Sequence, residues 1–379
     1  MVSGRRLRLA LDAGPLLGPR TGVGHLTARL FEALAPRDEV EVRGFVISRT
    51  GRRDVGALLP PGVTAGTSPL PARVAHALWA RVPWPPVEHW TGRVDVVHSP
   101  NFVAPPSRAP VIVSVHDLAF AHSPELCRPE AAALVPLLRR AIGRGVVIHT
   151  GSDFVAAEIR DFFGLPAERV VRVYSGIAGT EISGDTAAGH GLAGGDRYVL
   201  ALGTVEPRKN LPSLVRAFDA LAAGDPDVRL VVAGPDGWGV EKYDAAVAAA
   251  AHPDRIVRLG YVTEPQRVDL LAGARVLGYP SLYEGFGHPP FEAMRAGVPV
   301  VTTRAGSLPE VVGDAALFVE VDDDDALADA IGRALTDEQL RAELVARGHT
   351  RVEQFPWSRA ADDFVALYRR VAAGGGQHA

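Results

Sequence analysis

The stretch Ala274-Arg-Val-Leu-Gly-Tyr-Pro-Ser-Leu-Tyr-Glu-Gly-Phe-Gly-His-Pro-Pro-Phe-Glu-Ala-Met-Arg-Ala-Gly297 passes from a short apolar run, through a loop rich in glycine and proline, into a segment with helical spacing. The run Ala274–Tyr279 has the length and composition of a buried strand. Pro289 and Pro290 are typical of a helix start, and Gly297 is a stop signal for that helix. Because strand–loop–helix units of this kind build parallel sheets, the stretch predicts an α/β fold.

The same alternation runs through the rest of the chain. Apolar runs of strand length are separated by longer segments with helical spacing, which is the pattern of repeated βαβ units. Strands are predicted at Leu7–Leu11, Val42–Ile47, Val94–His98, Val111–Val115, Val146–His149, Tyr198–Leu202, Val228–Ala233, Arg255–Leu259, Ala274–Tyr279 and Val298–Thr302. Helices are predicted at Val23–Leu34, Ser152–Phe163 with Ser152 as N-cap, Leu211–Leu221, Glu264–Ala272, Pro290–Ala296, Ala326–Leu335 and Trp357–Val371.

Length and a change in composition divide the chain. A chain of 379 residues holds two or three domains at roughly 100–200 residues each. Ile182–Asp196 is rich in glycine, alanine and aspartate and has no periodicity, which is typical of a linker. We therefore expect a doubly wound domain over residues 1–182, a linker over 183–196, a second such domain over 197–356, a helix over 357–373 that crosses back to the first domain, and a flexible tail over 374–379.

Composition and charge exclude several classes of protein. The formal net charge is −4, so there is no bulk positive field to attract nucleic acid. Cys127 is the single cysteine, which rules out an internal disulfide and fits a reducing compartment. Leu7–Leu11 is too short for the core of a signal peptide, and no run reaches the roughly 18 apolar residues of a membrane span. We expect a cytoplasmic protein with at most peripheral membrane contact on the cytoplasmic face.

The glycine loop in the opening stretch has the features of a site for a sugar nucleotide. Gly285 and Gly287 allow a sharp turn and close approach of a ligand to the backbone. The helix that follows presents free backbone N–H groups, which suit phosphate. Glu284 and Glu292 would be repelled by phosphate, so they are expected to accept hydrogen bonds from hydroxyl groups. The plainer alternative is a strand–turn–helix unit in which Glu292 merely favours the helix dipole.

A second cluster lies in Leu202–Leu211, between a predicted strand and a predicted helix. Arg208 and Lys209 follow the carboxyl end of the strand, where ligands bind in open α/β sheets. Lys209 and Lys242 are the only lysines in a chain with 40 basic residues. A lysine retained among so many arginines indicates a compact charge for phosphate. The alternative is an exposed turn with solvated charges.

The first half carries weaker signals. Gly22 and Gly24, in Thr21-Gly-Val-Gly24, precede a helix but lack the dinucleotide-binding fingerprint. They either let the chain turn or bring backbone near a diphosphate. His116 ends a strand and can donate to a substrate hydroxyl, whereas Asp117 orients a loop or meets the acceptor; a histidine in this position is more often structural.

No metal site is expected. Asp322–Asp325 resembles an Asp-rich metal motif, but it lies before the helix predicted at Ala326, where acids complement the helix dipole. No cluster of histidine, cysteine and aspartate has the spacing of zinc ligands.

Taken together, the motifs resemble those of retaining glycosyltransferase family 4, and most closely its bacterial mannosyltransferase-like branch. The resemblance rests on Gly203–Asn210, Gly260–Val262, Pro280–Gly287 with Glu292, and Ser307–Glu310 in the second half, and on Gly22–Gly24, Val115–Leu118 and Phe355–Trp357 elsewhere.

This resemblance implies a GT-B fold, in which two Rossmann-like domains face a cleft that holds the donor, with the acceptor on the side of the first domain. It implies that four residues take part in catalysis: His116 touching the sugar, Glu284 on the sugar hydroxyls, and Arg208 and Lys209 on the diphosphate. It implies that the donor is bound by Gly22 and Gly24 at the phosphate, Gly203, Val262 near the base, Gly285, Phe286 and Gly287 along the sugar and phosphate, and Glu292 at the ribose.

Two positions depart from the family pattern. Thr204 stands where many relatives have an arginine, so that Arg208 must supply the charge. His288 stands where a small or apolar residue is commoner. The resemblance nevertheless implies metal-independent, front-face transfer of a sugar from a nucleotide-diphosphate sugar, GDP-mannose first and a UDP-sugar second, to a hydroxyl of a glycan, glycolipid or small metabolite. A GT-B nucleotide-sugar epimerase and a non-catalytic nucleotide-sugar-binding protein are the alternatives.

Overall fold

The computed structural model describes residues 5–18, 22–49, 51–79, 81–177 and 184–374. Thr21, the boundary between residues 182 and 183, and residues 375–379 of the predicted tail lie outside this part. The chain forms two compact units. Unit 1 comprises Met1–Leu118, Ala132–Gly176 and Trp357–Ala379, and unit 2 comprises Ala119–Ala131 and Ile177–Pro356.

Strands and helices alternate along the described residues. The strands are β1 Leu7–Asp12, β2 Val40–Ile47, β3 Thr64–Ser68, β4 Val96–Ser99, β5 Val111–Ser114, β6 Val147–Thr150, β7 Val170–Arg172, β8 Tyr198–Leu202, β9 Arg229–Ala233, β10 Ile256–Gly260, β11 Val276–Tyr279, β12 Val300–Thr303 and β13 Ala316–Val319. The α-helices are α1 Gly22–Leu34, α2 Val55–Leu58, α3 Ala72–Trp79, α4 Glu88–Thr91, α5 Ala119–His122, α6 Leu134–Gly143, α7 Asp153–Phe163, α8 Thr186–Ala193, α9 Leu211–Ala222, α10 Glu241–Ala249, α11 Glu264–Gly273, α12 His288–Arg295, α13 Leu308–Val312, α14 Asp324–Thr336, α15 Glu338–Val352 and α16 Trp357–Gly374.

Unit 1 is built on a parallel sheet with the strand order β3-β2-β1-β4-β5-β6-β7. The sequential connections run outward from β1 on one side and from β4 on the other, so the order reverses between these two strands. The helix expected at the end of the chain, α16, packs against this sheet. Its Phe364 and Tyr368 lie in the same hydrophobic core as Leu9, Leu11 and Phe31. This confirms a helix from the end of the chain that returns to the first domain.

A buried chain of hydrogen bonds links this helix to the sheet. The Tyr368 hydroxyl lies 2.8 Å from His98 Nδ1, and His98 Nε2 lies 2.9 Å from Ser114 Oγ. Ser114 Oγ lies 2.8 Å from Nδ1 of His149, whose Nε2 lies 3.2 Å from the Val173 carbonyl oxygen. A carbonyl only accepts, so His149 carries its proton on Nε2 and the bonds run in one direction: Tyr368 donates to His98, His98 to Ser114, and Ser114 to His149. This direction holds for neutral rings, and burial keeps both rings neutral by lowering the pKa of His98 and lowering the pKa of His149 to about 3.

Unit 2 is built on a second parallel sheet with the strand order β10-β9-β8-β11-β12-β13. The order reverses between β8 and β11, where the carboxyl ends of two neighbouring strands diverge into separate loops. Ligands bind at such a switch point in open α/β sheets. The two parallel, doubly wound sheets confirm the predicted α/β fold, and the two clusters named from the sequence follow the two strands at this point.

The predicted linker contains a helix and is corrected accordingly. Residues 186–193 form α8, capped by the Asp185 carboxylate, which accepts from Ala187 N at 2.9 Å. A Cβ on Gly189 would lie 2.2 Å from the Asp269 carbonyl oxygen of α11. The small residues that suggested a linker instead allow α8 to pack closely on α11 within unit 2.

Several other elements were not predicted from the sequence, among them the helices α2 to α6. β3, β7 and β13 were not predicted, and neither were α10 and α15, whose sequences lack a clear apolar face. In the described part of the chain, no helix is long and apolar enough to span a bilayer.

Candidate functional site

The candidate site lies at the carboxyl ends of β8 and β11 in unit 2. The loop after β8 contains the 3₁₀ helix Pro207–Lys209, and the loop after β11 leads into α12. The two loops are tied together by a hydrogen bond of 2.8 Å from Leu282 N to the Arg208 carbonyl oxygen. Residues far apart in sequence therefore meet at the switch point of the sheet.

Glu284 is the centre of this cluster and is 4% exposed. Its Oε1 accepts from Lys209 Nζ at 2.6 Å and from the Tyr279 hydroxyl at 2.9 Å, and its Oε2 accepts from Arg208 Nη1 at 2.9 Å. Burial alone would raise the pKa of Glu284, but the charges of Lys209 and Arg208 outweigh it and lower the pKa to about 2. The carboxylate is ionised and held in place from both of its oxygens.

Arg208 and Lys209 each have further partners. Arg208 Nη2 donates to Glu206 Oε1 at 2.8 Å, and Lys209 Nζ donates to the Tyr279 hydroxyl at 2.6 Å. Two cations thus face two carboxylates, which leaves the cluster electrically balanced. Lys209 and Arg208 were expected at a diphosphate and Glu284 at a sugar; the structure brings all three into direct contact, and Tyr279 joins them.

The backbone of Glu284 is held by the loop after β12. Ser307 donates to the Glu284 carbonyl oxygen from its backbone N at 2.9 Å and from its Oγ at 3.1 Å. Gly306 has a φ of +61°, and a Cβ there would lie 2.3 Å from the same carbonyl oxygen. Only glycine allows this approach, so Gly306 and Ser307 position the glycine loop.

The N-terminus of α12 follows the glycine loop directly. Gly287, at the N-cap, has a φ of +93° and offers no side chain to cap the first backbone N–H groups of the helix. Gly285 and Phe286 precede it, and Phe286 is buried against the ring of Phe291, with 5.5 Å between centroids. An uncapped helix start beside Arg208 and Lys209 is suited to bind an anion.

Glu292 belongs to a separate ion pair. Its Oε2 is bonded to Nη1 of Arg267 on α11, and the Arg267 Nη2 donates to Glu264 Oε1 at 2.6 Å. Burial raises the pKa of Glu292 above its usual value, and the positive charge of Arg267 opposes that shift. Val262 lies half-buried just before α11. Arg267 was not predicted as a site residue.

Gly203 closes the end of β8. It has a φ of +130°, and its carbonyl oxygen would lie 1.9 Å from a Cβ placed on Gly234. The two glycines let the loops after β8 and β9 pass in contact, which sets the course of the loop that carries Arg208. Thr204 contributes no charge here.

The first-half candidates lie in unit 1. His116 Nε2 lies 2.7 Å from the Pro100 carbonyl oxygen, so the ring carries its proton on Nε2 and presents Nδ1 as an acceptor. Burial lowers its pKa, which keeps the ring neutral. The expectation that His116 donates to a hydroxyl is therefore changed, because its N–H is already used. Gly22 and Gly24 open α1, and a Cβ on Gly22 would lie within 4 Å of no atom in the described part of the chain.

The Asp-rich segment has structural partners. Asp323 caps α14 by accepting from Ala326 N at 2.9 Å, and Asp322 accepts from Asn210 Nδ2 at 3.0 Å. Asp324 is bonded to Ser213 Oγ. Within the residues that the structure describes, no group of three or more histidine, cysteine or acidic side chains is arranged to hold a metal ion.

Two family models match the chain. Residues 20–178 match the model described as Glycosyltransferase Family 4, and residues 185–351 match the model described as Glycosyl transferases group 1. The O-antigen chain mannosyltransferase B of Escherichia coli is 33% identical over 283 residues, which cover 72% of this chain and 74% of the relative.

Solved structures share the fold. Sucrose-phosphate synthase from Thermosynechococcus elongatus superposes with a TM-score of 0.76 at 20% identity, covering 97% of this chain and all of that one. HepE of Anabaena in complex with UDP-glucose superposes with a TM-score of 0.72 at 17% identity, covering 96% of this chain and 100% of that chain. At these identities the likeness shows the GT-B fold alone.

Proposed function

Since the chain belongs to glycosyltransferase family 4, we propose that it transfers a hexose from a nucleotide-diphosphate sugar to a hydroxyl acceptor with retention of configuration and without a metal ion. The observation that carries the proposal is the cluster of Glu284, Arg208 and Lys209 beside the uncapped start of α12. Its cations and its backbone N–H groups suit a diphosphate, and its carboxylate suits sugar hydroxyls.

The diphosphate is the leaving group and gains negative charge as the sugar departs. In the proposed complex, Arg208 and Lys209 donate some of their hydrogen bonds to phosphate oxygens instead of to carboxylates. The backbone N–H groups at the N-terminus of α12 donate to the phosphate as well. Preorganised charges of this kind stabilise the transition state without a metal ion. The family resemblance supports this assignment.

Retention requires that the new bond form on the face from which the leaving group departs. The bond from the anomeric carbon to the phosphate oxygen breaks, the acceptor oxygen bonds to the same carbon from the same side, and the acceptor proton passes to the leaving diphosphate. Glu284 binds the sugar hydroxyls in this scheme, Glu292 the ribose hydroxyls, and unit 1 holds the acceptor.

The donor proposed first is GDP-mannose, because the relative with 33% identity is named a mannosyltransferase. A UDP-sugar is second, because HepE, which shares the fold, is named in complex with UDP-glucose. A thermal-shift screen against GDP- and UDP-sugars tests the choice, since binding to the native state alone raises the melting temperature. The anomeric configuration of the product, read by NMR, tests retention: an inverted product contradicts the mechanism, and release of an epimerised donor contradicts the transferase assignment.

A further inference from the structure

Asp12 ends β1 at the switch point of the sheet in unit 1. Its neighbour across this point is β4, which ends at Ser99. The carboxyl ends of parallel strands at a switch point form the usual ligand crevice of an open α/β sheet. Asp12 therefore occupies in unit 1 the type of position that the Glu284 cluster occupies in unit 2.

The carboxylate of Asp12 has few partners. Its Oδ1 accepts from Gly14 N at 2.8 Å, and among the residues that the structure describes its Oδ2 accepts only from Ser99 Oγ, at 3.4 Å. No cation among the described residues contributes to its electrostatic environment. Burial raises the pKa of Asp12 to about 6, and the two hydrogen bonds offset this only in part. One oxygen of a half-buried carboxylate is thus left with a single weak bond.

A carboxylate near the other end of β1 shows how this chain treats a structural acid. Asp95 accepts from Arg8 Nη2 at 2.8 Å and from Arg8 Nε at 3.1 Å, and it also pairs with Arg5 at 2.9 Å. These bonds lower the pKa of Asp95. The turn at Gly14 needs only an acceptor oxygen, which asparagine supplies as well as aspartate. The negative charge at Asp12 is therefore not explained by the fold.

His116 adds a second acceptor at the same edge. It follows β5, the next strand beyond β4, and its ring presents Nδ1. Two inter-strand spacings, roughly 10 Å in all, separate β1 from β5. A neutral molecule with several hydroxyl groups can donate to both acceptors, whereas a phosphate dianion, which only accepts, cannot.

We propose that Asp12 is an acceptor-binding residue, whose Oδ2 accepts a hydrogen bond from a hydroxyl of a neutral acceptor sugar. The inference rests on the proposed function, because it takes unit 1 as the acceptor side. The inference goes beyond the proposed function in two ways. It names the residue that binds the acceptor, and it excludes an acceptor with a phosphate group at this position, because the Asp12 carboxylate would repel the phosphate.

The test compares wild-type protein with Asp12→Asn and with Asp161→Asn, a control that removes an exposed carboxylate from α7 of the same unit. Calorimetry with saturating nucleoside diphosphate measures binding of α-linked mannobiose and of mannose 6-phosphate. We expect Asp12→Asn to weaken mannobiose binding about tenfold, because a charge-assisted hydrogen bond is lost. The melting temperature and the nucleoside diphosphate affinity should stay within about 2 °C and about twofold of wild type, as in Asp161→Asn.

Each other result overturns the inference. Unchanged mannobiose binding in Asp12→Asn removes the residue from the acceptor site, and a lower melting temperature together with weaker nucleoside diphosphate binding makes its role structural. Wild-type protein that prefers mannose 6-phosphate, or binds neither sugar, contradicts the ligand class. The proposed function is judged separately, by nucleotide-sugar binding and transfer in the wild type, so the two failures remain distinguishable.

Discussion

Lys209 Nζ lies 2.6 Å from Glu284 Oε1 and joins the loop after β8 to the loop after β11. The pair is buried, since the side chains are 11% and 6% exposed. Leaving one charge buried without its partner costs free energy of folding, so Lys209 and Glu284 each need the other in order to stay ionised inside the protein. Arg208 also pairs with both Glu284 and Glu206, so the site is a coupled unit, and in the proposed complex a diphosphate would have to compete with these two carboxylates for the two cations.

Lys209→Ala is expected to cost far more activity than Lys242→Ala. Lys209 lies within the cluster, whereas Lys242 is exposed on α10. Loss of a charge-assisted bond to phosphate lowers kcat/KM by about tenfold or more. Steady-state kinetics of the two variants measure the difference, with thermal melting to confirm that both are folded. Equal kcat/KM values would remove Lys209 from the diphosphate site.

Ten of the thirteen described strands and the placement of Arg208, Lys209 and Glu284 could be predicted from the sequence. Apolar runs such as Tyr198–Leu202 coincide with their strands because burial on both faces leaves a continuous hydrophobic signal. Ser152 was predicted as an N-cap and accepts from Val155 N at 3.2 Å. Arg208, Lys209 and Glu284 follow strands that are neighbours in the sheet, and parallel topology brings such residues to one edge.

The partners of these residues could not be predicted in the same way. Arg267 is one of many arginines, and nothing in its local sequence pairs it with Glu292, 25 positions away. Tyr279 resembles any large residue of a buried strand until its hydroxyl is seen beside Glu284. Helix α8 is stabilised by its contact with α11, which leaves no local periodicity to read. All three features depend on contacts between segments that are distant in the sequence, which local patterns do not reveal.

Arg267→Met is expected to weaken binding of the nucleoside diphosphate several-fold and to leave kcat nearly unchanged. Arg267 holds the Glu292 carboxylate, so its loss frees that side chain and raises its pKa further by removing a neighbouring cation. Arg333→Met, on the exposed face of α14, is the matched control. Calorimetry gives the affinities. Nucleoside diphosphate affinities that are the same for Arg267→Met and wild type would show that the ion pair does not position a ribose-binding group.

Transfer is expected to survive EDTA. The proposed leaving-group stabilisation comes from Arg208, Lys209 and the start of α12, none of which needs a divalent ion. Initial rates in the presence of EDTA, with and without added Mg²⁺ or Mn²⁺, measure this directly. Activity that is abolished by the chelator and restored by either ion would contradict the proposal and return attention to Asp322–Asp325.

His149→Gln is expected to make the protein less sensitive to acid. In the folded state burial lowers the pKa of His149 to about 3 from 6.5. The unfolded chain therefore binds more protons below pH 6.5, and the free energy of unfolding falls by up to about 1.4 kcal/mol per pH unit as the pH drops toward 3. Urea unfolding of both proteins across this range measures the two slopes. The difference between them isolates His149 from other titrating groups, and identical slopes would refute the assignment.

Glu284→Gln and Glu292→Gln are expected to fail in different ways, although each removes one carboxylate. Glu284 is bonded to Arg208 and Lys209, so its neutralisation releases both cations toward phosphate, and the nucleoside diphosphate should bind as tightly as in wild type or more tightly. Its kcat should fall, because the carboxylate no longer stabilises the positive charge of the reacting sugar. Glu292→Gln should weaken nucleoside diphosphate binding and largely spare kcat, because a ribose contact is similar in ground and transition states. Calorimetry with the nucleoside diphosphate and kinetics with the full donor separate the two variants. Weaker nucleoside diphosphate binding with normal kcat in Glu284→Gln would reverse the two assignments.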